Sequence, residues 1–243
     1  MYLDTQDIII TPGILCWGSW EEETACKLEE ILKPGMNWVD VGANNGYFTI
    51  IGHRCVQADG GRTWAFEANP KLHKLLTDNI YLNWFWSGVI AEPFAVYSSS
   101  CEVTFYIREK YGVNSSIGPV NEKDLRIIYD TQTASRVQAV SLDDYFLPKD
   151  IKLDLVKVDV EGGELFVLMG ARRLIEANRT LGLLIEWSPQ QIHLAGCEPR
   201  SIVEFLRQYD FGCQIVGQDN RSLSDLNELL DIPGTTMLML NRV

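Results

Sequence analysis

The sequence predicts an α/β fold on a mostly parallel sheet, and three observations carry that expectation. Short apolar runs alternate with helical patterns, and a glycine-bearing loop joins the first such run to a helix. A length of 243 residues, 46% hydrophobic and 22% charged, suffices for a core of ordinary size. One domain over residues 1–243 is expected, with a preface over residues 1–35 and an insertion or lid over residues 108–136.

The preface holds an apolar stretch from Ile8 and a helix from Glu21 to Leu32, closed by the breaker Pro34-Gly35. Trp38-Val39-Asp40-Val41 then reads as a buried strand running into Gly42-Ala43-Asn44-Asn45-Gly46, and Tyr47 to Val56 is apolar enough for a buried helix. Gly60-Gly61 turns the chain into a second strand, Thr63 to Phe66, which ends at Glu67. Asn69 and Pro70 suit the N-cap and first position of another helix, whose Leu72, Leu75, Leu76 and Ile80 share one face. Strand, glycine loop, helix, strand, helix is a right-handed βαβ unit, which needs a parallel sheet.

Further strands are expected over residues 89–91, 103–107, 137–140, 153–158, 181–185, 213–216 and 236–240, and helices over 164–177 and 199–209. The stretch from Arg108 to Arg136 is polar, lacks periodicity and carries Asn114-Ser115-Ser116, which marks it as the insertion.

Lys and Arg number 21 against 33 Asp and Glu, a net charge of −12, and the longest basic runs are pairs such as Arg172-Arg173. That balance disfavours nucleic acid and anionic membrane as partners and leaves a small molecule or another protein. The oligomeric state is not legible. The six cysteines are scattered without zinc-type spacing, which reads as reduced thiols. Asp4 and Asp7 stand where a signal peptide would be basic, and no apolar run reaches about 18 residues, so a cytoplasmic chain is expected.

Loop spacing decides the cofactor class. A dinucleotide fingerprint starting at Gly42 would need glycine at positions 44 and 47, which are Asn44 and Tyr47. The pattern present is Asp40-x-Gly42-x-x-x-Gly46, with Glu67 ending the second strand. A carboxylate there can accept both hydroxyls of a ribose, glycines let the backbone approach an adenosine-bearing ligand, and Asp40 can hold an amino group or order the loop. Together these suit S-adenosylmethionine, which has a ribose diol and a sulfonium but no phosphate. The bland alternative is that Gly42 and Gly46 serve only a tight turn.

Asp40 to Thr49, Phe66-Glu-Ala-Asn-Pro70, Ser141-Leu-Asp-Asp144, Leu155 to Glu164, Val167-Leu-Met-Gly-Ala171 and Leu184-Ile-Glu186 together resemble the FkbM family of S-adenosylmethionine-dependent methyltransferases, over roughly residues 35 to 187. The resemblance implies a class I methyltransferase Rossmann-like fold, with a seven-stranded mostly parallel sheet and a C-terminal antiparallel hairpin. It also implies S-adenosylmethionine as methyl donor and transfer to a hydroxyl of a sugar, glycosylated product or secondary metabolite. Ala68 departs from the proline more usual in the family, while Glu67 and Asn69 are kept. The cofactor set is then Asp40, Gly42, Ala43, Asn44, Gly46, Glu67, Ala68, Asn69, Asp159 and Glu161.

Leu155 to Glu164 is an apolar strand ending in Asp159, Glu161 and Glu164, and alternation places the first two on one side if the strand continues. Methyl transfer is an in-line displacement that needs an aligned acceptor oxygen and a sink for its proton. Asp159 is the first candidate for base or orienting group, and Glu186, at the end of the next strand, the second. Glu164 reads better as a helix-terminus carboxylate. His193, in a loop after Glu186, is a third catalytic candidate, with an unperturbed pKa of about 6.5. A divalent cation such as Mg²⁺ is a possible but not favoured use of the cluster. Trp17, Trp20, Trp84 and Trp86 are either pocket or core. Competing readings are a non-catalytic module that binds S-adenosylmethionine, an RNA 2′-O-methyltransferase and, weakest, an NAD-dependent reductase.

Overall fold

The computed structural model describes residues 1–109, 115–120, 122–127, 129–217 and 219–243. In chain order the elements are α1 (Ile10–Trp17), α2 (Glu22–Ile31), β1 (Asn37–Val41), α3 (Tyr47–Val56), β2 (Arg62–Phe66), α4 (Pro70–Leu82), β3 (Val89–Glu92), β4 (Ala95–Val96), β5 (Cys101–Arg108), α5 (Glu122–Ile127) and β6 (Gln132–Val140). They continue with α6 (Leu142–Phe146), β7 (Leu155–Val158), α7 (Glu164–Gly170), α8 (Arg172–Ala177), β8 (Gly182–Trp187), α9 (Pro189–Leu194), α10 (Pro199–Gln208), β9 (Phe211–Ile215) and β10 (Thr236–Arg242). No helix among the described residues is long and apolar enough to cross a membrane.

Seven strands form one sheet in the order β3-β2-β1-β7-β8-β10-β9, parallel except for β10, which runs against both its neighbours. This is the class I methyltransferase order, with its antiparallel C-terminal pair. The order reverses between β1 and β7, where an open sheet leaves a crevice at its carboxyl ends.

Alternation along the strands decides the two faces. Val39, Val41, Val156, Val158, Leu183 and Ile185 join one core with Leu142 and Phe146 of α6, Val167 and Leu168 of α7 and Ile202 and Leu206 of α10. Trp38, Leu155, Leu184 and Met239 join the other, against Leu28 of α2 and Phe48 and Val56 of α3. On this second face the register sets Asp40 beside Lys157 and Lys157 beside Leu184, so a charged pair occupies an otherwise apolar layer.

Local chemistry explains most boundaries. Pro70 starts α4, and the Asn69 side chain accepts from the Lys71 N–H. The expected helix over residues 164–177 is two, α7 and α8. Asp143 reaches in from α6 and accepts from the backbone N–H groups of Arg173 and Leu174, both at 2.9 Å, so the chain caps a new helix there.

The segment over residues 108–136 differs from a plain insertion. β5 continues to Arg108 and β6 begins at Gln132, and the two pair antiparallel, with β4 on the other side of β6 in a second, three-stranded sheet. Arg108 Nε donates to Asp130 Oδ2 at 2.9 Å in a buried pair that ties the ends of this excursion together. Asn114 lies outside the described residues.

Candidate active site

A cavity of about 280 Å³ opens across the carboxyl ends of the strands at the reversal point. One half of its wall is the β1–α3 loop, Gly42 to Asn45, with Glu67 and Ala68 at the end of β2. The other half is Asp159 to Glu161 after β7 and Glu186 on β8.

The glycine loop is forced by close approach. Gly42 has φ +78°, and a Cβ built on it would lie 1.8 Å from the carbonyl oxygen of Asp159, so the loop runs directly against the end of β7. Asn44 follows with φ 53°, a left-handed conformation that asparagine tolerates well. Glu67 Oε2 accepts from the Asn44 N–H at 2.8 Å, and Oε1 accepts from the Asn69 N–H at 2.7 Å. Burial pushes Glu67 up to about 7, opposed by those two N–H groups. Each oxygen keeps lone-pair capacity for a further donor.

Asp40, Gly46 and Asn69, expected on the cofactor, do not line the cavity. Asp40 is fully buried beneath the loop, where Oδ2 accepts from Thr49 Oγ1 at 2.6 Å and Oδ1 lies 3.5 Å from Lys157 Nζ. Both partners belong to the framework around the loop, Thr49 to α3 and Lys157 to β7. Gly46 caps α3 at φ 90°, and Asn69 caps α4.

Lys157 is fully buried and shared, with Asp159 Oδ2 at 3.1 Å on its other side. Burial alone would lower its pKa, but Asp159, Asp40 and Glu21 hold it above the usual range. Asp40 itself is raised by burial, against the pull of Lys157 and Thr49.

The carboxylates after β7 come together by a different route from strand alternation. β7 stops at Val158, and the chain turns through Glu161 at φ 59° and Gly162 at φ 101°. Glu164 closes this turn: its Oε1 accepts from the N–H groups of Val160 at 3.2 Å and Gly162 at 3.1 Å. That is a structural duty. Burial raises Glu164 to about 7 despite those bonds. The turn returns Glu161 toward Asp159, and Glu161 Oε2 accepts from Gln191 Nε2 of α9.

Glu186 completes the cluster. One carboxylate oxygen from each of Asp159, Glu161 and Glu186 lies within 4.8 Å of the others. Glu186 is 8% exposed, and its Oε2 is buried with no hydrogen-bond partner among the described residues. Burial first, then the charges of Asp159, Glu161, Glu164 and Glu21, push it well above the carboxylate range.

His193 stands apart. The segment after Glu186 folds as α9 instead of a loop, and His193 sits near its end, half-exposed, with Nδ1 3.8 Å from Glu198 Oε2 and outside the cavity wall. Of the four tryptophans singled out above from the chain's seven, Trp20 lines the cavity, while Trp17, Trp84 and Trp86 are exposed on the surface.

Sequence reasoning missed part of the cavity wall. Ile9, Ile10 and Glu21 of the preface, Phe105 of β5, Ile117 and Thr235 also line the cavity. The preface is moored by Asn79, whose Nδ2 donates to the carbonyls of Tyr2 at 2.9 Å and Asn45 at 2.8 Å. The apolar run from Ile8 was the available signal, but nothing local says what it covers. No lysine, arginine or histidine lines the cavity among the described residues.

Residues 40–213 match the model of the Methyltransferase FkbM domain. The hexuronic acid methyltransferase AglP of Haloferax volcanii is 26% identical over 195 residues, covering 77% of this chain and 68% of the relative. Among solved structures, the methyltransferase FkbM from Methylobacillus flagellatus KT superposes with a TM-score of 0.54 at 15% identity, over 89% of this chain. The present chain spans 50% of that protein's length. An rRNA methylase from Streptococcus thermophilus gives 0.50 at 10% identity, over 90% of this chain and 94% of that one. At such identities the two structures share the fold.

Proposed function

We propose that this chain, which belongs to the methyltransferase FkbM family, transfers the methyl group of S-adenosylmethionine to a hydroxyl of a small sugar-like acceptor, with hexuronic acids the first class to test. The observation that carries the reading is one cavity with two unlike halves: a glycine loop beside Glu67, and carboxylates at the ends of β7 and β8. The first half suits a nucleoside without phosphate, because it offers backbone and a ribose-binding carboxylate but no anion-binding cation.

In the transfer the acceptor oxygen attacks the methyl carbon, the carbon–sulfur bond breaks, and S-adenosylhomocysteine leaves with the electron pair of that bond. The acceptor must lie in line with the methyl and lose its proton as the new bond forms. In this reading Asp159, which Lys157 contacts, orients the hydroxyl, and the support is its place in the cavity wall with Glu186 nearby at the next strand end. Ile9, Ile10 and Phe105 add apolar wall to the cavity, which would reduce the water around the reacting groups once the ligands are bound.

Hexuronic acids come first because a relative at 26% identity methylates one. A ribose hydroxyl of RNA is chemically equivalent, but the net charge of −12 and a cavity without cationic lining among the described residues give a phosphate backbone no counter-charge.

The test is calorimetric titration of S-adenosylhomocysteine, with NADH as control, into wild type and Glu67→Ala. The reading expects binding by wild type, none of NADH, and a loss of about 1.5 to 3 kcal/mol in the variant, roughly 10- to 150-fold. Release of S-adenosylhomocysteine from S-adenosylmethionine with glucuronic or galacturonic acid then tests the acceptor. Asp159→Asn should cut turnover more than product affinity. Cofactor binding with no turnover on any hydroxylated acceptor would favour a non-catalytic binding module.

A further inference from the structure

We propose that Asp159, Glu161 and Glu186 form the binding site of one hard divalent cation at the acceptor end of the cavity, where it would receive the oxygens of an anionic or vicinal-diol acceptor. The role toward the acceptor rests on the methyltransferase reading above; the cation site itself does not.

Geometry is the first support. Three carboxylate oxygens within 4.8 Å of one another lie close enough for small side-chain adjustments to bring them onto one ion bound at about 2.1 to 2.5 Å. They come from two adjacent parallel strand ends and a turn closed by Glu164, so the cluster is held by backbone and not by exposed loops.

Glu186 is the second and independent support. Its side chain is more than nine-tenths buried, it lines the cavity, and its Oε2 has no partner among the described residues. Buried polar atoms are nearly always satisfied, so an orphaned oxygen on a carboxylate that adjoins two others calls for a partner that the described residues do not supply. Gln191 Oε1, next to Glu161, is likewise buried without a partner.

Charge points the same way. Lys157 is the one ammonium against this cluster among the described residues, and Asp40 and Asp159 already share it. A hexuronate entering this cavity would meet carboxylates with its own carboxylate, a repulsion that a bridging cation converts to attraction. All three donors are carboxylate oxygens, without imidazole or thiolate, which selects Mg²⁺, Mn²⁺ or Ca²⁺ over softer ions. An ion there would also ease loss of the acceptor hydroxyl's proton.

The experiment is titration of MnCl₂ into the chelator-treated full chain, by calorimetry and thermal unfolding, with S-adenosylhomocysteine titrated in EDTA in parallel. One Mn²⁺ should bind and raise the melting temperature, with affinity falling at least tenfold in both Asp159→Asn and Glu186→Gln. Glu102→Gln, an exposed carboxylate outside the cavity, should leave it unchanged. In EDTA, Glu186→Gln should melt no lower than wild type, because it relieves like-charge crowding, so lost binding cannot be laid to unfolding. Absence of Mn²⁺ binding by wild type, or equal binding by wild type and both variants, overturns the site. If S-adenosylhomocysteine binds in EDTA and Mn²⁺ does not, the cation site alone fails. If Mn²⁺ binds in this residue-dependent way and S-adenosylhomocysteine does not, the cation site stands and the methyltransferase reading fails.

Discussion

Nζ of Lys157 lies 3.1 Å from Oδ2 of Asp159, although the lysine side chain is only 1% exposed. A full positive charge is therefore kept in the apolar layer between β1, β7 and α3, where it joins the buried Asp40 to the cavity-facing Asp159. Its methylene stem packs in the core while its head faces two carboxylates and the Phe48 ring, 4.8 Å away.

Lys157→Met should destabilise the fold by about 3 to 5 kcal/mol, because it strands a buried carboxylate at Asp40. Adding Asp40→Asn should restore part of that loss, giving a coupling of at least about 1 kcal/mol in a double-mutant cycle read by urea unfolding. Additive losses would mean that the lysine's packing matters and its charge does not.

Gly42→Ala should cost roughly 2 to 4 kcal/mol, from left-handed backbone strain and a Cβ driven into the Asp159 carbonyl. It should also abolish binding of S-adenosylhomocysteine. Gly60→Ala separates the two causes: Gly60 has φ +80° but nothing within 4 Å of its Cβ, so only strain of about 1 to 2 kcal/mol remains. Equal costs at the two positions would remove the close approach as an explanation.

Glu67 should make stability fall as pH rises. Burial lifts it from the ordinary value of 4.5 to about 7, so between those values the native chain holds a proton that the unfolded chain has lost. The stabilisation is fully present below pH 4.5 and is lost as pH passes through 7. Relative to Glu67→Gln, wild type should lose about 2 kcal/mol between pH 5.5 and 8 in urea unfolding. A difference between the two proteins that does not change with pH would show that Glu67 is charged throughout.

The repeating strand, loop and helix pattern was legible because it is local: apolar runs of strand length, the Asn69-Pro70 start, the breaker at Pro34-Gly35 and the three-residue gap between Gly42 and Gly46 each act within a few residues. The places of Glu67, Asp159 and Glu186 at strand ends followed from the same patterns, since carboxylates ending apolar runs in a parallel sheet share one crevice. What the helices over 164–177 and after Glu186 do depends on distant groups, as when Asp143 caps the start of α8.

By itself the sequence determined the sheet, the glycine loop and the acidic character of the site, because propensity, periodicity and turn chemistry are written along the chain. Only the tertiary structure decided which carboxylates meet. It buried Asp40 with Lys157, turned Glu161 back beside Asp159 and brought Glu186 to both, its Oε2 without a hydrogen-bond partner among the described residues. It also laid Ile9, Ile10 and Phe105 over the cavity. Apart from the local turn that brings Glu161 back to Asp159, those outcomes come from contacts between residues far apart in sequence, set by strand register and by the volume left between packed layers.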